Sequence, residues 1–301
     1  MVHYSTIKYL IKNRDFHKIL LSVKFYIFDK IKRIMIDKTR KQVVVNNCQI
    51  EILPNDKGIS TELLIYGIHE PLTTHLILNH VKPSMIVLDI GSNIGYYATL
   101  ESKLVANTGK IISIEPSPIN FRILEKNLEL QKMENYQIFN LAIGDKNGEI
   151  EFLISEKSNW SKIREKNDVL GKNEKIICVP VKTLDTFCEE NLIKHVDLIR
   201  MDVEGYEKKI ISGAKETLKK FKPMLMIEVH KMYLGRQKTQ EFLKELSELG
   251  YEIKYFYPRI FDSPIIGNKK DIKKLSILDL LKQLENNILP EAFQITLIAK
   301  D

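Results

Sequence analysis

The residues best equipped for chemistry in this 301-residue chain stand at the ends of apolar runs. Val87-Leu88-Asp89-Ile90-Gly91-Ser92-Asn93-Ile94-Gly95 ends in an acid followed by Gly-x-x-x-Gly, the pattern of a strand turning sharply into a helix. Such a turn aims backbone N–H groups at a ligand, and Gly91 permits close approach. A second acid, Glu115, closes the run Lys110-Ile111-Ile112-Ser113-Ile114. It follows the glycines by about 20 residues, the spacing of a ribose-binding carboxylate in open α/β folds. Farther on, Asp202-Val203-Glu204-Gly205 closes one apolar run and Glu228-Val229-His230 the next. Ligands bind outside the carboxyl ends of strands in such sheets, so these polar groups are expected at one edge, facing the acid-Gly turn.

The type of ligand follows from charge. A dinucleotide fingerprint needs a second glycine where this chain has Asn93, and Asp89 would set a negative charge beside the pyrophosphate. S-adenosylmethionine has no phosphate and carries a sulfonium and an ammonium group, so acids attract it where they would repel NAD. The pair Asp89 and Glu115 therefore predicts S-adenosylmethionine as cofactor; the plain alternative is a structural strand-to-helix turn.

The elements that must position these groups alternate in the manner of a mostly parallel sheet covered on both faces. Strands are predicted near 85–90, 110–115, 136–142, 196–202, 223–229, 250–257 and 292–299, seven in all. Helices are predicted over Glu70–Val81, Ile94–Ala106, Ser117–Leu130, Tyr206–Lys220 and Thr239–Leu249, several opening with Pro or Ser. The last two strands lack a helical crossover, which predicts antiparallel pairing. An insertion over 147–182 carries two further strands joined by a polar loop holding Trp160, the single tryptophan. Trp160 either anchors that loop in the core or forms a lid or stacking platform for an acceptor. A second insertion, 258–290, with a helix at Ser276–Glu285, is placed to close the acceptor side.

With 44% hydrophobic residues the chain can bury a large core, which excludes a disordered class. Its three cysteines, Cys48, Cys178 and Cys188, form no C-x-x-C pair, so neither a disulfide framework nor a zinc site is suggested and a reducing, cytoplasmic setting is expected. The net charge of +7 is concentrated at one end: residues 1–41 hold eleven Lys or Arg against three Asp, and the rest is nearly neutral. Within 1–45 apolar residues recur at helical spacing between the basic ones, predicting a basic amphipathic helix ahead of a catalytic body over 46–301. That helix is suited to docking on its own domain or to an anionic membrane surface. Its apolar stretch is too short to span a bilayer, and the charged Asp29-Lys30-Ile31-Lys32-Arg33 that follows does not suit a cleaved signal.

Several separate blocks together resemble the FkbM family of S-adenosylmethionine-dependent methyltransferases, from about residue 58 to 257. They are Gly58-Ile59-Ser60-Thr61-Glu62 with Tyr66-Gly67-Ile68-His69-Glu70-Pro71, the Asp89-x-Gly91-x-Asn93-x-Gly95 turn, Glu115-Pro116-Ser117-Pro118, Asn140-Leu141-Ala142-Ile143-Gly144-Asp145, Thr183-Leu184-Asp185, Asp202-Val203-Glu204-Gly205-Tyr206-Glu207 and Glu228-x-His230. The resemblance implies a class I methyltransferase fold and O-methylation of a hydroxyl on a sugar, polyketide or similar small acceptor. It further implies that Asp89, Gly91, Asn93 and Gly95 meet the methionine side of the cofactor, that Glu115 holds the ribose, and that Asn140 and Ala142 stand near the adenine. Glu70 becomes a candidate for the acceptor side, although an acid before Pro71 also suits a plain helix start. Arg200 departs from the lysine expected there.

An alcohol is a poor nucleophile while it keeps its proton, so methyl transfer to oxygen calls for a positioned base. Asp202, Glu204, Glu228 and His230 are the candidates, with Glu204 or His230 as base, histidine favoured because it titrates near neutrality, and Asp202 positioning. The same acids and histidine could instead hold a divalent cation that acidifies a diol; spacing does not separate the two, and no metal site is assigned. Two other classes are weighed. A nucleic-acid methyltransferase would explain the basic leader, but Asp202-Val203-Glu204-Gly205 stands where an Asn-Pro-Pro-Tyr-like block belongs, so no nucleic acid is expected. A membrane-associated binding protein that lost catalysis is disfavoured by the four polar groups kept at the strand ends.

Overall fold

The computed structural model describes residues 9–12, 15–37, 39–155, 158–164, 171 and 174–300. The first eight residues of the predicted leader lie outside them. Helix α1 (Phe16–Met35) is capped by Asp15, whose side chain accepts from the Lys18 amide at 3.1 Å. A hairpin, β1 (Gln42–Val45) and β2 (Cys48–Glu51), follows, turning at Asn46 and Asn47 with φ of 51° and 60°. Both strands bury their alternate residues, and the position 45/46 lies in the turn that joins them.

After α2 (Ile59–Tyr66) and α3 (Pro71–His80) comes the open sheet. Its parallel strands are β3 (Ile86–Ile90), β4 (Lys110–Ile114) and β5 (Tyr136–Phe139), interleaved with α4 (Tyr96–Val105) and α5 (Pro118–Leu130). An inserted four-stranded sheet is built from β6 (Ala142–Gly144), β7 (Gly148–Ile154), β8 (Lys162–Ile163) and β9 (Lys175–Thr183), in the order β6-β9-β7-β8. The chain returns through α6 (Leu184–Glu190), β10 (Leu198–Met201), α7 (Glu207–Ser212), α8 (Lys215–Phe221) and β11 (Met224–Val229). It ends with α9 (Lys231–Glu248), β12 (Tyr251–Pro258), α10 (Ile277–Glu285) and β13 (Phe293–Ala299).

The seven strands lie in the order β12-β13-β11-β10-β3-β4-β5, with β13 antiparallel to both neighbours. This is the mostly parallel sheet expected from the alternation, including the antiparallel end, and the class I methyltransferase arrangement that the family resemblance implies. From β3 the chain winds outward to β5 and then returns to β10 on the other side of β3. The carboxyl ends of β3 and β10 thus flank the topological switch point, where open α/β sheets bind ligands. Successive strand residues point to opposite faces. Val87 and Leu198 join the core under α3 to α5, while Leu88 and Ile199 join the core under α7, α9 and α10. Full burial of each such side chain contributes about 1.5–3 kcal/mol.

Three differences from the sequence expectation have local causes. The third core strand ends at Phe139, and Ala142 opens a strand of the second sheet. The helix expected over Tyr206–Lys220 is broken at Gly213, where an added Cβ would sit 2.1 Å from the Gly144 carbonyl oxygen, so the two segments pivot around a backbone contact that no periodicity records. The predicted Thr239–Leu249 helix begins earlier, at Lys231, and passes a kink at Gly235, whose φ is 75°.

Candidate active site

Hydrogen bonding in the parallel ladder sets Met201 beside Ile90 and Arg200 beside Asp89, so the β3 turn and the Asp202-Val203-Glu204 segment leave the sheet together. A cleft of about 580 Å³ opens there. Its walls include Gly91, Asn93, Glu115, Ala142, Asp202 and Glu204, with Ile114, Leu141, Ile143 and Ile163 as apolar surface.

The turn itself explains its glycines. Gly91 has φ +83°, and a Cβ on it would lie 2.0 Å from the Asp202 carbonyl oxygen, so the close approach it permits is that of the neighbouring strand. Gly95 is the N-cap of α4 rather than part of its first turn, with φ +84°. Glu115 is buried at the end of β4, where one carboxylate oxygen accepts from the Asn93 amide and the other from the Ser117 amide, both at 2.8 Å. Burial pushes its pKa up to about 7, opposed by those two N–H donors. A carboxylate has about four acceptor sites, so Glu115 retains capacity for two ligand hydroxyls while its orientation is fixed by backbone.

Three sequence candidates are placed differently. Asp89 is fully buried beneath the cleft and is not part of its lining; one oxygen accepts from Arg200 at 3.0 Å. Arg200 also donates to Asp202 at 3.2 Å, and its guanidinium lies 4.1 Å over the Tyr97 ring. The arginine that replaces the expected lysine thus joins two strand ends, which its forked donors allow. Asn140 also lies outside the lining: its amide donates to the Glu115 and Pro116 carbonyls at 2.8 and 3.1 Å, tying down the loop that carries Glu115. Trp160 is 43% exposed and neither enters the core nor lines the cleft, whereas Ser158, Ser161 and Lys162 of the same loop do line it.

Beside Asp202 and Glu204, and outside the cleft's lining, stand Glu228 and His230, so the four expected groups converge. His230 Nε2 lies 3.2 Å from Glu204 and 3.3 Å from Glu228, while Nδ1 lies 2.8 Å from Glu207. Arg259 extends the cluster, with Nε 2.9 Å from Glu228 and Nη2 2.6 Å from Glu70. Glu70 accepts from the Tyr97 hydroxyl at 2.9 Å and faces His69, whose other nitrogen is 2.7 Å from Glu62. Glu70 therefore belongs with the strand-end groups. Arg259, Glu207, Glu62 and Tyr97 were not singled out by sequence. Glu207 was visible within the Asp202–Glu207 block, but nothing local marked Arg259, one residue after β12.

Electrostatics divide these groups. Burial disfavours a charged imidazole, yet the surrounding Glu204, Glu207 and Glu228 outweigh it and hold the His230 pKa well above the ordinary 6.5. His69 is likewise lifted to about 10 by Glu70 and Glu62 against the effect of burial. Burial raises Glu204 to about 8, partly countered by His230 and reinforced by Asp202. Burial and the Glu228 carboxylate bring Asp202 to about 6. Arg259 holds Glu70 and Glu228 below the usual range despite burial. Neutral His230 as the groups' base, the preference drawn from free histidine, does not match these surroundings. Ligand atoms of Asp202, Glu204 and His230 lie within 4.8 Å of one another, as do those of Glu70, Asp202 and Glu228, spacings that a divalent cation could use.

The profile of the methyltransferase FkbM domain matches residues 89–253, spanning the turn, Glu115, the Asp202–Glu207 block and His230. The chain belongs to this family. FkbM enzymes are S-adenosylmethionine-dependent methyltransferases, and S-adenosylmethionine is the cofactor. The residues fit it: acids ring the cleft, its apolar wall suits a purine, and the tight turn is occupied by Asn93 and a backbone contact rather than by a pyrophosphate nest. A second profile, that of protein-L-isoaspartate(D-aspartate) O-methyltransferase, matches residues 14–149. The chain is 30% identical over 171 residues to 2-O-methyltransferase NoeI of Sinorhizobium fredii (strain NBRC 101917 / NGR234), covering 51% of the chain and 69% of that protein. It is 28% identical over 144 residues to Methyltransferase 1 of Beauveria bassiana (strain ARSEF 2860), covering 42% of the chain and 57% of that protein. Among solved structures, the FkbM methyltransferase of Methylobacillus flagellatus KT aligns with a TM-score of 0.42 and 14% identity, over 70% of this chain and 43% of that one.

Proposed function

We propose that the protein transfers a methyl group from S-adenosylmethionine to a hydroxyl of a sugar, glycan or lipid-linked saccharide, in the cytoplasm or at the membrane face bordering it. The observation that carries this reading is Glu204, a half-buried acid on the wall of the cofactor cleft 3.2 Å from His230 Nε2, with a pKa raised to about 8. The cofactor supplies an electrophilic methyl, and the acceptor oxygen attacks it in line. Glu204 takes the hydroxyl proton, at a basicity well matched to neutral working conditions, which is worth about 10² to 10⁴ in rate. His230, pinned by Glu207 at 2.8 Å, orients Glu204, and Asp202 is held by Arg200 where it can position the acceptor. Glu115, Asn93 and Ala142 hold the cofactor. Glu70 and Glu228, buried and bridged by Arg259, form a polar cluster beside Glu204 and His230 that suits a polyhydroxylated acceptor, and the name of the NoeI relative specifies 2-O-methylation in that protein.

A metal-assisted reading draws on the Asp202, Glu204 and His230 spacing. The two guanidiniums favour the metal-free reading, because Arg200 and Arg259 already supply positive charge to Asp202, Glu70 and Glu228.

The test is incubation of the purified chain with S-adenosylmethionine and a panel of sugars, oligosaccharides and lipid-linked saccharides, with products read by mass spectrometry and the methylated oxygen located by NMR. O-methylated product that disappears with Glu204→Gln supports the reading. Methyl transfer only to nitrogen or carbon, or only to nucleic acid, would overturn it.

A further inference from the structure

Helix α1 is inverted relative to an ordinary surface helix, which turns its apolar stripe inward. Its inward face is largely polar. Lys18 pairs with Asp271 and lies 3.4 Å over the Phe261 ring. Asp29 accepts from the Tyr66 hydroxyl at 3.0 Å and from Arg33 at 2.7 Å, and Arg33 also donates to the Lys57 carbonyl at 3.1 Å. Phe25, stacked on Tyr66 at 5.8 Å between centroids, is the aromatic anchor of this face.

The outward face carries Phe16, Leu20, Val23, Ile27, Ile31 and Ile34, each between 42% and 83% exposed. At about 100° per residue they fall within an arc of about 80°, with Lys24 and Lys30 on its two edges. Six adjacent exposed apolar side chains form a patch of the kind that marks an interaction surface. No helix among the described residues is long and apolar enough to cross a membrane, so this face can only lie along one.

We infer that the outward face of α1 docks the enzyme on an anionic membrane leaflet. Charge selects the lipid over a second copy of the chain. Residues 1–41 carry a surplus of eight positive charges, and none of their three acids is on this face: Asp15 caps the helix, Asp29 points inward and Asp37 follows its end, bonded to Thr39. Pairing two such stripes would set lysine against lysine with no acid to answer, whereas anionic headgroups complement both edges. This inference deepens the membrane-face part of the proposed function and is independent of the transfer chemistry.

The experiment is flotation of the full chain with vesicles of phosphatidylcholine alone and of phosphatidylcholine mixed with phosphatidylglycerol, alongside light scattering on the eluting protein. Wild type is expected to float as a monomer with the anionic vesicles only. Leu20→Gln/Ile27→Gln/Ile31→Gln and Lys24→Glu/Lys30→Glu should each weaken that binding by at least about tenfold. Unchanged S-adenosylmethionine affinity would show that both variants are folded, and methyl transfer to a water-soluble acceptor without vesicles separates this result from the fate of the catalytic proposal. Equal binding to neutral vesicles, no binding to either, or a dimer that the triple variant converts to monomer would overturn the inference.

Discussion

Arg259 Nη2 lies 2.6 Å from Glu70 Oε1 across 189 positions of chain. The same guanidinium reaches Glu228 through Nε at 2.9 Å, so one side chain after the last parallel-side crossover joins a helix entry to a strand end. The guanidinium stands between two buried carboxylates, which His69 and His230 flank on their other sides.

Replacing Arg259 with Met leaves Glu70 and Glu228 buried without that cation. Stability is expected to fall by about 3–5 kcal/mol, measured as the urea midpoint at neutral pH. The double variant Arg259→Met/Glu70→Gln should recover part of the loss, and a merely additive loss would show that the ion pair is not the cause.

Glu115→Ala removes the acceptor shared by the Asn93 and Ser117 amides, the group proposed to hold the cofactor ribose. S-adenosylmethionine affinity by calorimetry should drop by about 10- to 100-fold, the worth of one or two charge-assisted hydrogen bonds. NAD should show no binding to wild type.

Glu204→Gln is expected to lower kcat by about 10² to 10⁴ while changing S-adenosylmethionine affinity only slightly. A base works unprotonated, so wild-type turnover should rise with pH through about 8 and the rising limb should vanish in the variant. An unaltered pH profile would assign the proton transfer to another group.

Chelation separates the two readings of the carboxylate cluster. Turnover is expected to survive EDTA, and its loss with recovery on adding magnesium or manganese would establish a divalent-cation requirement and favour the metal-assisted reading.

His69 links pH to stability. Its folded pKa of about 10 exceeds the ordinary 6.5, so its contribution is fully present below 6.5 and is lost as pH rises through about 10. His69→Gln should flatten that part of the urea-midpoint profile relative to wild type, and parallel profiles would show that the imidazolium is not bound there.

The sheet, the switch-point turn and the cofactor are legible in the sequence. Each rests on local signals: apolar period, glycines that permit left-handed backbone, and acids at strand ends. So is the meeting of Asp202, Glu204, Glu228 and His230 at one edge, because the carboxyl ends of parallel strands must lie together. The character of each group depends on what packs around it. Asp89 lies beneath the cleft, bonded to Arg200 of the adjacent strand, and the His230 pKa is raised because Glu204, Glu207 and Glu228 converge on its ring. Only the docked fold shows which side of α1 faces solvent. Periodicity reveals that a helix has two faces, but which one is buried depends on partners such as Asp271, Phe261 and Tyr66, whose distance along the chain no local pattern encodes.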